Sequence, residues 1–159
     1  MDRCVLDTSV IIKSIFKPLR SLSDEVYKRE METHKKCRFI IQKIEDNDID
    51  IFIPKVCVVE TAAVVKRLSN KELAIQISKG VLDSYEVIDE TFLFDTAWMI
   101  AKNTGSSGFD SYFIGLSRVK NASLFTDDSG MHKYAKKLGI DSILIKDTDL
   151  KDIEKFILG

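Results

Sequence analysis

The stretch Cys4-Val5-Leu6-Asp7-Thr8-Ser9-Val10 shows the pattern that decides the fold of this chain. Its three leading apolar residues are typical of a short strand buried on both faces, and the polar residues that follow begin a pattern of helical period at about 9–16. The same order recurs along the sequence. Further strands are predicted at 51–53, 85–88, 124–125 and 143–145, and further helices at about 24–45, 56–68, 71–82, 90–102, 109–120, 129–138 and 149–157. Because strands and helices alternate, we expect an α/β fold with a mostly parallel sheet of about five strands.

Three residues mark predicted boundaries between these elements. Pro18 is expected to end the first helix, because proline lacks the N–H that a helix interior needs. Pro54 is expected to open the third helix, since proline is tolerated in the first turn. Gly139 follows Lys136-Lys137-Leu138 and is typical of the residue just beyond a helix C-terminus.

Length and composition predict one domain spanning residues 1–159. A chain of 159 residues with 45% hydrophobic residues can bury a sizeable core, which excludes a disordered chain and a disulfide-held miniprotein. Its 24 basic and 25 acidic residues give a net charge of -1, so any partner must be attracted by local patches of charge.

The cysteines and the short apolar runs predict a cytoplasmic protein with no membrane partner. Cys4, Cys37 and Cys57 are odd in number and have no Cys-x-x-Cys spacing, which is typical of reduced, buried thiols. Only two histidines are present, which argues against a Cys/His zinc site. The longest apolar run, 97–101, is far shorter than the roughly 20 residues that span a bilayer.

Acidic residues occur where functional sites form in parallel sheets. Asp7 follows the first predicted strand, and Asp127 and Asp128 follow the fourth. Ligands bind beyond the carboxyl ends of such strands. Each of these residues has a structural alternative, because aspartate also caps the helix that comes next. Asp110 has the same ambiguity, since it either belongs to a site or completes a capping box begun by Ser107.

Glu60 interrupts an apolar helix face. Its neighbours three and four residues away are all apolar or nearly so, which predicts that Glu60 lies within a buried stripe. A buried carboxylate is costly unless it is protonated, paired or bound to a metal ion, and no basic residue shares that face. The alternatives are a helix exposed at this turn or a distant cation that folds back onto the carboxylate.

Four carboxylates each begin a helix or interrupt its apolar face. The simplest explanation of these positions is that the four side chains converge on one site, and they are Asp7, Glu60, Asp110 and Asp128. Clustered carboxylates raise one another's pKa unless a cation is present, and oxygen ligands select Mg²⁺ or Mn²⁺. One or two such ions are the predicted cofactor, with hydroxyls around the ligands from Thr8, Ser9 and Thr126. These ions activate water and neutralise charge at phosphorus, which is the chemistry of nucleases and phosphatases.

Four motifs stand in a fixed order along nearly the whole chain. They are Val5-Leu6-Asp7-Thr8-Ser9-Val10, Pro54-Lys55-Val56-Cys57-Val58-Val59-Glu60, Phe109-Asp110-Ser111-Tyr112, and Leu124-Phe125-Thr126-Asp127-Asp128 followed by Lys136-Lys137-Leu138-Gly139-Ile140. In order and spacing the chain resembles PIN-domain ribonucleases, particularly the VapC-like group.

The resemblance implies a three-layer α/β/α sandwich and a Mg²⁺- or Mn²⁺-dependent endoribonuclease that hydrolyses RNA phosphodiester bonds through a metal-activated water. The family's catalytic, metal-binding acids are matched here by Asp7, Glu60, Asp110 and Asp128. The family's last motif, Thr-x-Asp, selects Asp128, while Asp127 is an alternative or additional ligand. Ser9 and Thr126 match accessory hydroxyls of the family.

The resemblance also implies partners. Many such proteins are toxins restrained by an antitoxin protein, and many form homodimers, whereas others process RNA without a toxin role. We therefore expect an RNA substrate, an antitoxin and a homodimer. The alternatives are an RNA-processing protein, a non-catalytic protein that binds RNA or protein, and a phosphatase with Asp7 as nucleophile, although the sequence lacks the Asp-x-Asp pattern expected there.

Residues 19–36 are charged and longer than compact members of the family need. They predict a helical insertion that alters the substrate groove, the dimer face or an antitoxin site. The alternative is a solvated helix with no such role.

An RNA substrate also needs cations around its phosphates. Basic clusters at helical spacing are candidates for this contact, although most such clusters are solvated faces. They comprise Lys66 with Arg67, Arg118 with Lys120, and Lys133 with Lys136 and Lys137.

Overall fold

Five strands form the centre of the fold in the computed structural model, which describes residues Met1–Gly159. The strands are β1 (Arg3–Leu6), β2 (Asp50–Pro54), β3 (Glu86–Ile88), β4 (Ser123–Thr126) and β5 (Ser142–Leu144). The helices are α1 (Thr8–Ile15), α2 (Asp24–Asp46), α3 (Val56–Leu68), α4 (Lys71–Ser84), α5 (Glu90–Thr104), α6 (Gly108–Lys120), α7 (Ser129–Lys137) and α8 (Leu150–Leu158), with a 3₁₀ helix at Ile145–Asp147. None of the helices is both long and apolar enough to span a bilayer.

All neighbouring strands pair in parallel, in the order β3-β2-β1-β4-β5. The chain begins at the central strand β1, builds outward to β3, and then returns to place β4 on the other side of β1. The direction of strand order reverses between β1 and β4. Such a reversal opens a crevice at the carboxyl ends of the two strands, which is where ligands bind in open α/β sheets.

The central strands are buried on both faces. Cys4, Val5 and Leu6 are consecutive and have no exposed surface, and neither do Leu124 and Phe125. Successive side chains of a strand point to opposite faces, so helices must cover both sides of the sheet. The predicted α/β/α sandwich with a parallel five-stranded sheet is confirmed.

Three predicted boundaries are wrong by a residue or two. Pro54 does not open a helix, because it pairs with Ile88 as the last residue of β2. The next residue, Lys55, donates its N–H to the Ile88 carbonyl, so proline occupies a position where the ladder does not need its missing N–H. Tyr85 caps the end of α4 and precedes β3. Ile145 begins the 3₁₀ helix and lies beyond β5.

The segment 19–36 is helical only from Asp24 onward, as part of α2. The helical part packs against the rest of the fold. The His34 ring donates from Nδ1 to the Lys13 carbonyl at 2.6 Å. The buried Lys36 ammonium donates to the carbonyls of Ile145 and Lys146 at 3.3 and 3.4 Å. Hydrogen bonds from side chains of α2 therefore hold it to both α1 and the 3₁₀ helix after β5.

Candidate active site

An acidic cavity of about 420 Å³ lies at the carboxyl ends of β1 and β4. Its lining brings together the four carboxylates that the sequence predicts and two of the three predicted hydroxyls. The lining residues are Asp7, Thr8, Ser9, Ile12, Lys13, Glu60, Val64, Asp110, Asp127, Asp128 and Met131. The third predicted hydroxyl, that of Thr126, is fully buried beside the cavity and is hydrogen-bonded to Asp7.

Asp7 directly follows β1 and is 6% exposed. Its Oδ2 accepts hydrogen bonds from the hydroxyls of Ser9 at 2.7 Å and Thr126 at 2.8 Å. Asp7 stands at the N-cap position of α1, and the strongest hydrogen bonds of its side chain are those to the two hydroxyls and not a cap of the first helical turn. Burial raises the pKa of Asp7, the two hydroxyls lower it and the charge of Asp128 raises it further, and the net direction is upward.

Glu60 lies on α3, where its Oε2 accepts a hydrogen bond from the Thr8 hydroxyl at 2.6 Å. The sequence predicts that Glu60 lies within a buried stripe, but the side chain is only half-buried. Ala63, three residues later, is exposed. Glu60 therefore stands at the edge of the apolar face and opens onto the cavity. Burial raises the pKa of Glu60, the Thr8 hydrogen bond lowers it and the charge of Asp7 raises it, with a net rise.

Asp110 lies in the first turn of α6. The Ser107 hydroxyl accepts the Asp110 N–H at 3.2 Å, so Ser107 is the N-cap that the sequence suggests. The Asp110 carboxylate also lines the cavity, so capping by Ser107 does not remove Asp110 from the candidate site. Burial and the charges of Asp128 and Asp7 raise the pKa of Asp110 to about 6, against a smaller lowering by Ser107.

The two aspartates after β4 have different environments. Asp128 is exposed, its N–H donates to the Thr126 hydroxyl at 3.0 Å, and its Oδ1 caps α7 by accepting the Met131 N–H at 2.8 Å. The Asp127 side chain is only 6% exposed and uses both oxygens. Its Oδ2 pairs with the Lys13 ammonium at 2.6 Å, and its Oδ1 accepts the Lys146 N–H at 3.0 Å.

Lys13 is the residue of the cavity that the sequence interpretation missed. Its ammonium pairs with Asp127 at 2.6 Å and with Glu30 of α2 at 2.8 Å. Burial lowers the pKa of Lys13, but the hydrogen bonds and charges of Asp127 and Glu30 outweigh burial, so the pKa is raised. One signal was available: Lys13 lies four residues after Ser9, which puts both side chains on one face of α1.

The chemistry of the lining fits a divalent cation of the Mg²⁺ or Mn²⁺ type. None of the four carboxylates predicted as ligands pairs with a lysine or arginine within the salt-bridge distance of 4.0 Å. No three acidic, histidine or cysteine side chains stand close enough together to hold a metal ion as they are placed, so the fit rests on the oxygen-donor chemistry of the lining. Such donors, with room for retained waters, suit Mg²⁺ and Mn²⁺ better than zinc.

The basic residues proposed for RNA contact do not line this cavity. Lys66 and Arg67 are exposed in the last turn of α3, and Lys133 is exposed on α7. Arg118 lies in the last turn of α6, about 12 Å along the helix from Asp110 at the usual rise per residue. The structure places Arg118 beside Ser123, at the amino end of β4, so it lies at the opposite end of the sheet from the acidic site.

The chain matches one family model, that of the PIN domain, over residues 4–137. The comparison with curated proteins found no match.

Several solved structures are similar in fold. VapBC2 from Rickettsia felis, crystallised with a DNA fragment from its promoter, has a TM-score of 0.61 and 17% identity, with 89% of this chain and 97% of that chain covered. A toxin-antitoxin complex from Klebsiella pneumoniae has a TM-score of 0.55 and 12% identity, over 79% of this chain and 87% of that chain. FitAcB from Neisseria gonorrhoeae has a TM-score of 0.52 and 19% identity, over 88% of this chain and 96% of that chain.

Proposed function

The chain belongs to the PIN domain family, and on that premise we propose that it is a Mg²⁺- or Mn²⁺-dependent endoribonuclease. The observation that carries the proposal is the cavity between β1 and β4, where four carboxylates from four separate parts of the chain face one space without a paired cation. Burial raises the pKa values of Asp7, Glu60 and Asp110, and repulsion between the neighbouring carboxylates adds to the rise. A divalent cation relieves such repulsion.

In this proposal the ligands of the cation are Asp7, Glu60, Asp110 and Asp128. When bound, the ion supplies charge neutralisation at the phosphodiester and lowers the pKa of a water molecule. The protein orients the ligands: Ser9 and Thr126 hold one oxygen of Asp7, and Thr8 holds one oxygen of Glu60. These bonds leave Asp7 Oδ1 and Glu60 Oε1 without a hydroxyl donor, so one oxygen of each side chain remains for the ion.

The test is cleavage of a single-stranded RNA of mixed sequence by the purified protein with Mn²⁺, with EDTA, and as the Glu60→Gln variant. We expect cleavage with Mn²⁺ and none in the other two samples, because the variant removes a ligand charge at nearly constant volume. The matched control is Glu86→Gln, which alters an exposed acid at the amino end of β3, outside the cavity, and should cleave like the wild type.

Other outcomes of that experiment contradict the proposal in distinguishable ways. Equal cleavage by Glu60→Gln and wild type would identify a contaminating nuclease. Mn²⁺ binding without cleavage would favour the non-catalytic alternative. A trapped phosphoaspartate would favour the phosphatase, which the 6% exposure of Asp7 and its two hydroxyl donors do not support.

We propose a toxin role with an antitoxin protein as partner. The support is the likeness in fold to proteins of which one is described as a toxin-antitoxin complex. The RNA-processing alternative predicts instead that cleavage in cells is restricted to a specific precursor and that expression of the protein alone does not arrest growth.

We propose a homodimer that forms through the outer face of α5. This face exposes Phe92 by 80%, Phe94 by 55%, Trp98 by 61% and Met99 by 51%, and the rings of Phe94 and Trp98 stack at 6.3 Å. Exposed large apolar side chains of this kind are typical of a protein interface, and the stacked rings of Phe94 and Trp98 form the apolar pair on which this one is centred.

Replacing Trp98 by Glu is expected to convert the dimer to a monomer, because the charge would be buried in the apolar interface. The mass in solution, measured by size-exclusion chromatography with light scattering, checks the result. Ile75→Glu is the matched control, since Ile75 is similarly exposed, at 56%, but lies on α4. An unchanged mass for Trp98→Glu contradicts this interface.

A further inference from the structure

The only positive charge on the cavity lining is the ammonium of Lys13, and it is bound between two elements that are distant in sequence. It lies 2.6 Å from Asp127, after β4, and 2.8 Å from Glu30, on α2. The backbone of Lys13 is also held by α2, because the His34 ring donates to its carbonyl at 2.6 Å. Lys13 is therefore fixed at both its main chain and its side chain.

The ion pair with Lys13 distinguishes two adjacent carboxylates as ligands for a metal ion. Asp127 and Asp128 both line the cavity and have the same chemistry as metal ligands. Both oxygens of Asp127 are occupied, one by the Lys13 ammonium and one by the Lys146 N–H, and its side chain is 6% exposed. Asp128 uses one oxygen for the Met131 N–H and is exposed to the cavity.

We propose that Lys13 is a positioning residue that withholds Asp127 from the divalent cation and so leaves Asp128 as the single ligand supplied by the segment after β4. This role rests on the proposed metal-dependent function. Without the ammonium, Asp127 would be a buried carboxylate with no cationic partner, which is the kind of group that takes up a nearby metal ion. Asp127 would then compete with Asp128 as a ligand, and the set of carboxylates that would hold the ion would no longer be the one that Asp7 and Asp128 form.

The Lys13→Gln variant is therefore expected to bind Mn²⁺ more tightly while it cleaves RNA more slowly. The dissociation constant, measured by the EPR signal of free Mn²⁺, should fall about tenfold, which is the scale on which residues around the ligands tune metal affinity. The value of kcat should fall by a similar factor, and KM for RNA should stay unchanged. A general loss of structure would instead weaken Mn²⁺ binding.

Four further variants separate this role from charge alone. Lys17→Gln makes the same change of charge at an exposed residue in the loop after α1, outside the cavity, and should leave the Mn²⁺ dissociation constant unchanged. The double variant Lys13→Gln/Asp127→Asn should return the Mn²⁺ constant to that of the wild type. Asp127→Asn alone should bind Mn²⁺ like the wild type, whereas Asp128→Asn should bind it more weakly. The single aspartate variants test the proposal even where Lys13→Gln fails to fold.

Three results would overturn the role of Lys13. They are unchanged or weaker Mn²⁺ binding by a Lys13→Gln variant that melts like the wild type, a double variant that behaves like Lys13→Gln, and a raised KM with unchanged kcat, which would make Lys13 a contact of the RNA. A wild type that neither binds Mn²⁺ nor cleaves RNA would contradict the proposed function, and the role of Lys13 with it. A wild type that does both, beside a Lys13→Gln variant that binds Mn²⁺ no more tightly, contradicts the role of Lys13 alone.

Discussion

Replacing Asp7 by asparagine is expected to reduce Mn²⁺-dependent RNA cleavage by more than about 100-fold. Loss of a group that merely supports a metal ligand costs 10–100-fold in affinity or activity, and loss of a ligand at the centre of the site should cost more. Asp7 holds this central position because it directly follows the middle strand β1 and its charge influences the pKa of both Glu60 and Asp110. Initial rates at saturating Mn²⁺ measure the effect.

The same variant should stabilise the protein in EDTA at neutral pH. Burial raises the pKa of Asp7, so its ionised form costs free energy that a neutral side chain avoids. The asparagine oxygen can still accept the hydroxyls of Ser9 and Thr126. Higher thermal stability without metal, combined with loss of cleavage, is the expected pair of results. A variant that melts lower in EDTA would contradict the placement of an uncompensated charge at this position.

Ser9→Ala is the control for Asp7→Asn. It removes one of the two hydroxyls that orient Asp7 and leaves the carboxylate itself in place. The rate of cleavage should fall by about 10–100-fold, as for other groups that support a metal ligand. If Ser9→Ala lost more of the cleavage rate than Asp7→Asn, the assignment of Asp7 as a ligand and Ser9 as its supporting hydroxyl would be contradicted.

Much of the fold could be predicted because its signals are local. Consecutive apolar residues such as Cys4, Val5 and Leu6 have no exposed surface in the centre of the sheet, as their pattern predicts. Gly139 has the positive φ of 72° that a residue beyond a helix C-terminus adopts. Pro54 was misjudged because proline is tolerated both in a first helical turn and at a strand end, and only the pairing of β2 with β3 decides between them.

The acidic lining of the site could also be predicted, because each carboxylate disturbs a local pattern. Asp7 and Asp128 follow strands, and Glu60 interrupts an apolar helix face. The signal for Lys13 is weaker, because its position four residues after Ser9 gives only its helix face, and its partners are 17 and 114 residues away in sequence. The distance of Arg118 from the site likewise depends on which end of α6 lies at the cavity. Sequence periodicity predicts which face of a helix is buried but not which of its ends lies at the site.

Asp110 is expected to make the stability of the metal-free protein depend on pH. Its pKa in the folded protein is about 6, above the ordinary value of 3.8, because burial and the charges of Asp128 and Asp7 disfavour ionisation. The folded state therefore holds the proton more tightly than the unfolded state does. The resulting stabilisation is fully present below pH 3.8 and is lost as the pH rises through about 6.

The Asp110→Asn variant measures this contribution, together with the easier ionisation of Asp7 and Asp128 once the charge of Asp110 is removed. In EDTA the two proteins should have similar free energies of unfolding near pH 4, and the variant should become more stable as the pH approaches neutrality. A pKa difference of this size corresponds to about 3 kcal/mol, which solvent around the half-buried side chain reduces to about 1–2 kcal/mol. Denaturant unfolding across this pH range measures the difference.

Addition of Mn²⁺ at neutral pH should make the wild type more stable than Asp110→Asn, the reverse of their order in EDTA. A ligand that binds only the folded state stabilises it in proportion to its affinity, and the wild type retains the carboxylate that the ion needs. The wild type should then gain more stability from Mn²⁺ than Asp110→Asn does. If both proteins gain equally, Asp110 does not bind the ion. If the two pH profiles in EDTA are parallel, the pKa of Asp110 is not raised by burial and by the charges of Asp128 and Asp7 as its position implies.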